Sequence, residues 1–251
     1  MTTTNTKDES MTFHPQVWAH RGASASCPEN TLDAFRRAVE VGADGIELDV
    51  QRSADGRLVV IHDETLDRTT SGSGRVVDLV WDDIRAVDAS NGQDGFSSRI
   101  PLLDEVLELL APTTMMLNVE LKNSVELYPG MDPQVVEAVR AAGMTERVIL
   151  SSFNHVSLAQ THESDLGLPL GLLYGEPLWR MDEYATRFGA QSVHPYYRFL
   201  FEPGVVDRFK AAGLAINTWT VDDPEALRRL ADLEVDAVIC NDPAAALALY
   251  A

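Results

Sequence analysis

Cysteine and basic residues are both scarce in this chain of 251 residues. The two cysteines, Cys27 and Cys240, are too few for a disulfide framework. Only 20 lysines and arginines stand against 39 aspartates and glutamates, which gives a formal net charge of −19. This balance excludes a broad basic surface for nucleic acid or anionic membrane. We therefore expect no nucleic-acid partner, and an anionic ligand has to be held by a few local cations.

Long apolar runs are absent as well. No stretch approaches the roughly 20 apolar residues of a membrane-spanning helix. The N-terminus is polar and threonine-rich, without the apolar centre of a signal peptide. These absences favour a cytoplasmic protein with no stable membrane association. Residues 1–14 are interpreted as a disordered leader and residues 15–251 as one domain, with no signal for an oligomeric state.

The chain does contain a regular alternation of short apolar runs and helical segments. Eight runs, many of them rich in valine, isoleucine and leucine as buried parallel strands are, cover Val17–His20, Gly45–Asp49, Met115–Glu120, Val148–Ser152, Pro169–Leu173, Gln191–Pro195, Ala215–Thr220 and Asp236–Cys240. Helical patterns cover Thr31–Val41, Leu103–Leu110, Asp132–Ala142, His155–Glu163, Met181–Phe188, Gly204–Ala212 and Asp223–Leu233. Eight such units predict an α/β fold of the (β/α)₈ TIM-barrel class. A doubly wound sheet is the alternative, but no G-x-G-x-x-G motif follows the first run.

Three helix starts have a recognisable signal. Asp132-Pro133, Asp223-Pro224 and Asp242-Pro243 each place an aspartate before a proline. We expect the aspartate to cap the helix and the proline to occupy its first position.

A ninth apolar run, Leu58–His62, does not fit a barrel of eight strands. The turn residues of 53–56 join it to the second strand as a hairpin, so the run has to be antiparallel and cannot be a barrel strand. This return arm would bring His62 to the height of Glu47 and Asp49. The segment from about 64 to 99 is polar and poorly periodic, and is interpreted as a small insertion on the barrel rim that acts as a lid.

Carboxylates cluster at the ends of neighbouring predicted strands. Glu47 and Asp49 are two residues apart, as are Glu120 and Lys122, so each pair points to one side of its strand. Strand ends of a barrel share one mouth. Three carboxylates repel one another unless a cation lies among them, and oxygen ligands favour Mg²⁺ or Ca²⁺. We therefore expect one divalent cation, although either pair alone is more typical of carboxylates that cap a loop or pair with a lysine.

Two histidines flank this cluster. His20 ends the first run and His62 ends the return arm, positions that suit a general acid and a general base near neutral pH. Hydrogen-bonded structural histidines are the alternative. Arg21 supplies a fixed cation suited to phosphate, and Lys122 a point charge.

Four other residues are secondary candidates. His194 ends the sixth parallel run and is predicted to line the mouth. Trp219 ends the seventh and forms either a wall of the pocket or part of the core. Glu29 and Asp63 are predicted to orient a histidine or the first loop without touching substrate.

These motifs resemble those of the glycerophosphodiester phosphodiesterase family. The matching residues are 20–23 (HRGA), 28–31 (PENT), 47–51 (ELDVQ), 55–56 (DG), 59–70 (VVIHDETLDRTT), 100–102 (IPL), 120–122 (ELK), 151–153 (SSF), 219–221 (WTV) and 241–243 (NDP). The resemblance covers about residues 17 to 245.

The resemblance implies a metal-dependent TIM barrel that hydrolyses a small glycerophosphodiester to glycerol 3-phosphate and an alcohol. It implies His20 and His62 as the acid–base pair, with Arg21 and Lys122 as phosphate contacts. The implied metal ligands are Glu47, Asp49 and Glu120. It leaves open the alcohol group, the role of each histidine, and whether the nucleophile is water or a neighbouring glycerol hydroxyl.

Two other functions are alternatives for a chain with these motifs. The first is a lysophospholipase D or sphingomyelinase-D-like activity on the same barrel, against which the lack of an apolar rim loop, a signal peptide and a paired-cysteine loop counts. The second is a phosphate-binding barrel without catalysis. Loss of a histidine or of a metal carboxylate would favour it, and all of them are present.

Overall fold

The computed structural model describes residues 13–164 and 167–251, in which strands and helices alternate. Most of the predicted leader, residues 1–12, lies outside this part of the chain. The strands are β1 Gln16–His20, β2 Gly45–Arg52, β3 Leu58–Val60, β4 Met116–Leu121, β5 Val148–Ser152, β6 Leu170–Tyr174, β7 Ser192–Pro195, β8 Ala215–Thr218 and β9 Ala237–Cys240. The helices are α1 Leu32–Val41, α2 Trp81–Ala86, α3 Leu103–Leu110, α4 Met131–Ala141, α5 His155–Glu163, α6 Met181–Phe188, α7 Val205–Ala211, α8 Pro224–Asp232 and α9 Pro243–Tyr250.

Eight of the strands close into a parallel barrel. Strand β1 pairs in parallel with β2 on one side and with β9 on the other, and β2 continues through β4 to β9 in chain order. Helices lie between successive barrel strands. The prediction of a TIM barrel is confirmed, and the open doubly wound sheet is excluded because β1 has a partner on both edges. None of the described helices is long and apolar enough to cross a bilayer.

Strand β3 is the antiparallel return arm. It pairs with β2, with Val50 opposite Val60, and the Ile61 amide donates to the Asp49 carbonyl at 3.0 Å. Gly56 has a φ of +84° in the turn, a conformation that glycine adopts without steric cost. The predicted hairpin is therefore present, and it returns the chain to the level of Asp49.

The segment after the return arm is more ordered than its polar composition suggests. Its buried apolar residues, Leu66, Val76, Trp81, Ile84 and Ala89, form a small core separate from the main core, together with Val59 and Ile61 of the return arm and with Ile100 and Leu102 just after the segment. Helix α2 lies inside this segment and was not predicted. The contributing residues are scattered over short pieces of chain, so no single window shows a helical or strand period.

Two of the three predicted helix caps are confirmed. Asp223 accepts two backbone N–H groups at the start of α8, and Asp242 accepts one at the start of α9. The cap predicted at Asp132 is wrong, because α4 begins at Met131 after Gly130, which makes Asp132 the second residue of the helix. The Asp132 carboxylate instead turns inward and accepts from a set of buried donors, namely Asn123, Ser157 and Thr161.

The side chains inside the barrel change from apolar to polar toward the carboxyl ends of the strands. Four buried residues, Trp18, Ile149, Ala237 and Ile239, form an apolar cluster inside the barrel. Gly45 leaves room for the indole, since a Cβ there would lie 2.7 Å from Trp18. Nearer the carboxyl ends of the strands the inward side chains become polar and charged. The apolar cluster closes the barrel from below, so the mouth is the open end.

Candidate active site

A cavity of about 160 Å³ lies at the carboxyl ends of the barrel strands. Its walls come from widely separated parts of the chain, which the closed barrel brings together. The lining residues are His20, Arg21, Glu47, His62, Asn118, Glu120, Phe153, Leu173, Trp219, Thr220 and Ile239. Five of these were predicted as catalytic, metal-binding or phosphate-binding residues, and Trp219 was predicted as a wall.

Three buried carboxylates meet in the barrel beside this cavity. One oxygen of each of Glu47, Asp49 and Glu120 lies within 4.8 Å of the others. Burial, with Asp49 and Glu120 adding repulsion, raises the pKa of Glu47 well above its ordinary value. One oxygen of Asp49, Oδ1, is buried without a hydrogen-bond partner. A divalent cation would relieve the repulsion and satisfy the free oxygen, so the donor set fits a hard metal ion.

Asp49 is kept ionised by its neighbours. Its Oδ2 accepts from Asn30 Nδ2 at 2.9 Å and lies 3.3 Å from Arg21 Nε, while Lys122 Nζ is 3.8 Å from Oδ1. Although burial alone would raise the pKa of Asp49, Arg21 and Lys122 lower it below its ordinary value. Asn30 was not predicted as a site residue, and the only signal was its place in the 28–31 motif.

His20 is oriented by an amide. Its Nδ1 lies 2.7 Å from Asn241 Oδ1, and Asn241 Nδ2 donates to Asp222 Oδ2 at 2.5 Å. This network places the imidazole proton on Nδ1 and leaves Nε2 free, 4.0 Å from Glu47 Oε2. Burial, with Arg21, lowers the pKa of His20 to about 4. His20 is therefore a neutral imidazole with an available lone pair.

His62 is oriented by a carboxylate instead. Its Nδ1 lies 2.6 Å from Asp63 Oδ1, and the other oxygen of Asp63 accepts from Arg68 Nε at 2.6 Å. The hydrogen bonds from Arg68 hold the pKa of Asp63 well below its usual range, and His62 adds to the effect. An ionised Asp63 can only accept hydrogen bonds, so this contact makes Nδ1 of His62 the donor and fixes the orientation of the ring.

A chain of alternating charges joins the two sides of the site. Arg68 donates two hydrogen bonds of 2.8 Å to Glu29, and Glu29 accepts another of 2.8 Å from Arg21 Nη1. Glu29 and Asp63 thus lie behind the cavity-lining residues. Arg68 was not predicted, because its role depends on contacts up to 39 residues away in the sequence.

One wall of the cavity is aromatic. The rings of Phe153 and Trp219 pack edge to face at 5.6 Å, and Trp219 Nε1 donates to the His194 carbonyl at 2.8 Å. Lys122 stands beside this wall, with Nζ 2.8 Å from Glu120 Oε1 and 6.0 Å from the Phe153 ring centre. Phe153 was not predicted as a site residue, and its position after the 148–152 strand was the available signal.

The structure does not bring His194 into the cavity, contrary to the expectation from its place near the end of β7. Its side chain is fully buried inside the barrel. Nε2 accepts from Asn217 Nδ2 at 3.1 Å and lies 3.0 Å from Ser192 Oγ. Gly171 leaves space for the ring, since a Cβ there would lie 2.4 Å from Nε2. Burial lowers the pKa of His194 to about 3, so this histidine is neutral.

Comparisons with known proteins agree with this geometry. The sequence profile of the Glycerophosphoryl diester phosphodiesterase family matches residues 20–245. A glycerophosphodiester phosphodiesterase of Caldanaerobacter subterraneus subsp. tengcongensis is 45% identical over 229 residues, which are 90% of this chain and 94% of the relative. This chain therefore belongs to the glycerophosphoryl diester phosphodiesterase family, and it is a phosphodiesterase by class.

Solved structures give the same result. A phosphodiesterase of Oleispira antarctica, solved with the product sn-glycerol-3-phosphate, superposes with a TM-score of 0.83 at 28% identity and covers 94% of this chain and 96% of its own. A glycerophosphodiester phosphodiesterase of Agrobacterium tumefaciens superposes with a TM-score of 0.80 at 32% identity, over 93% of this chain and 99% of its own.

Proposed function

We propose that this protein is a metal-dependent hydrolase that cleaves glycerophosphodiesters to glycerol 3-phosphate and an alcohol. The observation that carries the proposal is the placement of a buried carboxylate triad between two histidines with different partners. The structural neighbour that holds sn-glycerol-3-phosphate supports the product. The cations at the cavity, Arg21 and Lys122, suit a phosphate in a chain whose overall charge is strongly negative.

Glu47, Asp49 and Glu120 would hold the metal, Mg²⁺ or Ca²⁺. When bound, such an ion neutralises charge on a phosphate and lowers the pKa of a neighbouring hydroxyl. Asn30 and Arg21 keep Asp49 in place by binding its Oδ2. The fixed charge on Arg21, itself held by Glu29, attracts the phosphate into the cavity.

The two histidines divide the proton transfers according to their partners. His20 faces a neutral amide, so its free Nε2 accepts the proton of the nucleophile and it acts as the general base. Nδ1 of His62 is held by the carboxylate of Asp63, and we assign His62 as the general acid that donates a proton to the departing alcohol. This assignment follows from hydrogen-bond partners on the two Nδ1 atoms.

Metal removal tests the function directly. Dialysis against EDTA should abolish the release of glycerol 3-phosphate from glycerophosphocholine, and Mg²⁺ or Ca²⁺ should restore it. Glu47→Gln and Glu120→Gln should lose metal binding by calorimetry while the circular dichroism spectrum persists. The control is Glu108→Gln, an exposed glutamate on α3, which should bind metal and turn over normally. Full activity in protein shown by elemental analysis to contain no metal would contradict the proposal.

A further inference from the structure

Gln51 is a fully buried amide that takes no part in the proposed metal binding or proton transfers. It lies on β2 two residues after Asp49 and four after Glu47, so its side chain points to the same side of the strand as these two carboxylates. A buried amide without hydrogen-bond partners would destabilise the fold. The partners of Gln51 therefore show what this side chain does.

The amide nitrogen of Gln51 contacts the backbone of the two residues that form the His62–Asp63 pair. Nε2 lies 3.0 Å from the carbonyl oxygen of His62 and 2.5 Å from that of Asp63. An amide group has two N–H donors, one for each of these carbonyls. Since β3 ends at Val60, Gln51 holds the chain just beyond the end of this strand.

Tyr128 binds the other end of the same amide. Its hydroxyl donates to Gln51 Oε1 at 2.9 Å. Burial raises the pKa of Tyr128 to about 12, so this donor stays protonated. Because Oε1 faces a hydroxyl donor and Nε2 faces two carbonyl acceptors, the orientation of the Gln51 amide is fixed.

Tyr128 is itself held in place by the end of β2. It is buried and has a φ of +44°, a conformation that residues with a side chain rarely adopt and that the surrounding structure has to impose. Arg52, the neighbour of Gln51, donates to the Pro129 carbonyl at 3.0 Å, and its guanidinium lies 5.8 Å from the Tyr128 ring centre. Two successive residues of β2 thus bind the 128–129 turn to the strand.

His62 depends on such support because its ring is only partly enclosed. Its side chain is 32% exposed, whereas that of His20 is 17% exposed. Asp63 and Arg68 restrain the ring from the solvent side, and Gln51 restrains the backbone from the barrel interior. A catalytic group that is displaced by about 1 Å can lose roughly 100-fold in rate.

We propose that Gln51 is a positioning residue for His62, an inference that rests on the proposed function. The Gln51 side chain holds the carbonyls of His62 and Asp63, and Tyr128 holds the Gln51 side chain. Gln51 does not line the cavity, so it neither contacts the substrate nor moves a proton. Its effect on the rate therefore exists only while the His62 imidazole is present, a condition that a general structural role would not impose.

A double-mutant cycle on glycerophosphocholine tests this condition. Gln51→Met keeps a similar side-chain volume and removes both N–H donors. In the wild-type background it should lower kcat by about 10- to 100-fold, with KM and Mg²⁺ affinity within about twofold of wild type. In the His62→Ala background, measured at high enzyme concentration, the same substitution should change kcat by less than about twofold.

The matched control is Gln134→Met. Gln134 Nε2 also donates to a carbonyl of the β2–β3 hairpin, that of Gly56 at 2.8 Å, but this carbonyl lies at the turn. The control should alter kcat in neither background. Tyr128→Phe removes one hydroxyl, leaves Gln51 in place and decides the question if Gln51→Met does not fold. It should lower kcat about three- to tenfold, and only when His62 is present.

Three results would overturn the inference and leave the proposed function standing. Losses by the same factor in both backgrounds would show that Gln51 supports the site in general. A lower Mg²⁺ affinity of Gln51→Met would show that it supports the carboxylate triad. An unchanged kcat in Gln51→Met and Tyr128→Phe would show that His62 is held without them. Wild-type protein with no metal-dependent cleavage of glycerophosphocholine would instead refute the proposed function, and this inference with it.

Discussion

Three histidines of this protein have different chemical properties because their side chains have different surroundings. Nδ1 of His20 meets an amide oxygen, Nδ1 of His62 meets a carboxylate, and His194 is sealed inside the barrel. The sequence predicted the two catalytic candidates from their positions at the ends of apolar runs. It did not predict Asn241, which is 221 residues from His20 in the chain, because that contact exists only after β9 closes against β1. His194 was misplaced since strand-end position does not tell how deep a side chain lies.

Burial of His194 predicts a pH dependence of stability. Its folded-state pKa of about 3 lies below the ordinary value of 6.5, so the unfolded chain binds more protons between these values and stability rises with pH across that window. Because of this group alone, the free energy of unfolding should be about 2 kcal/mol lower at pH 5 than at neutral pH. In His194→Gln the free energy of unfolding in urea should fall less steeply on acidification than in wild type. Parallel curves for the two proteins would contradict this account of His194.

At the scale of elements, the return arm and the insertion after it carry part of the site. The hairpin was predictable from local sequence because a tight turn has to reverse the direction of the strand. The separate apolar core of the insertion was not predictable, because it assembles from short pieces that pack together only in the folded chain. Leu66 belongs to that core, and Arg68 follows it closely to bind Asp63 and Glu29. The insertion thus positions the partner of His62.

Weakening the insertion core should therefore lower activity without unfolding the barrel. Ile84→Ala removes buried methyl groups from that core, at a cost of about 2–5 kcal/mol. We expect a lower kcat on glycerophosphocholine and a nearly unchanged far-ultraviolet circular dichroism spectrum. Leu110→Ala, in the main core on α3, is the matched control and should lower the melting temperature but not kcat at 25 °C. An unchanged kcat in Ile84→Ala would show that the insertion does not hold the site.

For the whole molecule, the closed barrel converts scattered residues into one site. Strand and helix alternation follows from local patterning, so the fold class was predictable, and the carboxylate triad was predictable because barrel strands end at one face. Glu29 and Asp63 were predicted as orienting residues, but their connection through Arg68 to Arg21 was not, since no local pattern encodes it. The central claim is that this network and the Asn241 contact give the two histidines opposite roles.

The most direct test compares His20→Ala and His62→Ala on two substrates. Each proton transfer is worth about 10²–10⁴-fold in rate, so both variants should be severely impaired on glycerophosphocholine. On a p-nitrophenyl phosphodiester the leaving group departs as a stabilised anion and needs no acid. Relative to the wild-type rate on each substrate, His62→Ala should recover much of its loss and His20→Ala should not. Recovery by His20→Ala instead, or equal losses of both variants on both substrates, would contradict the account.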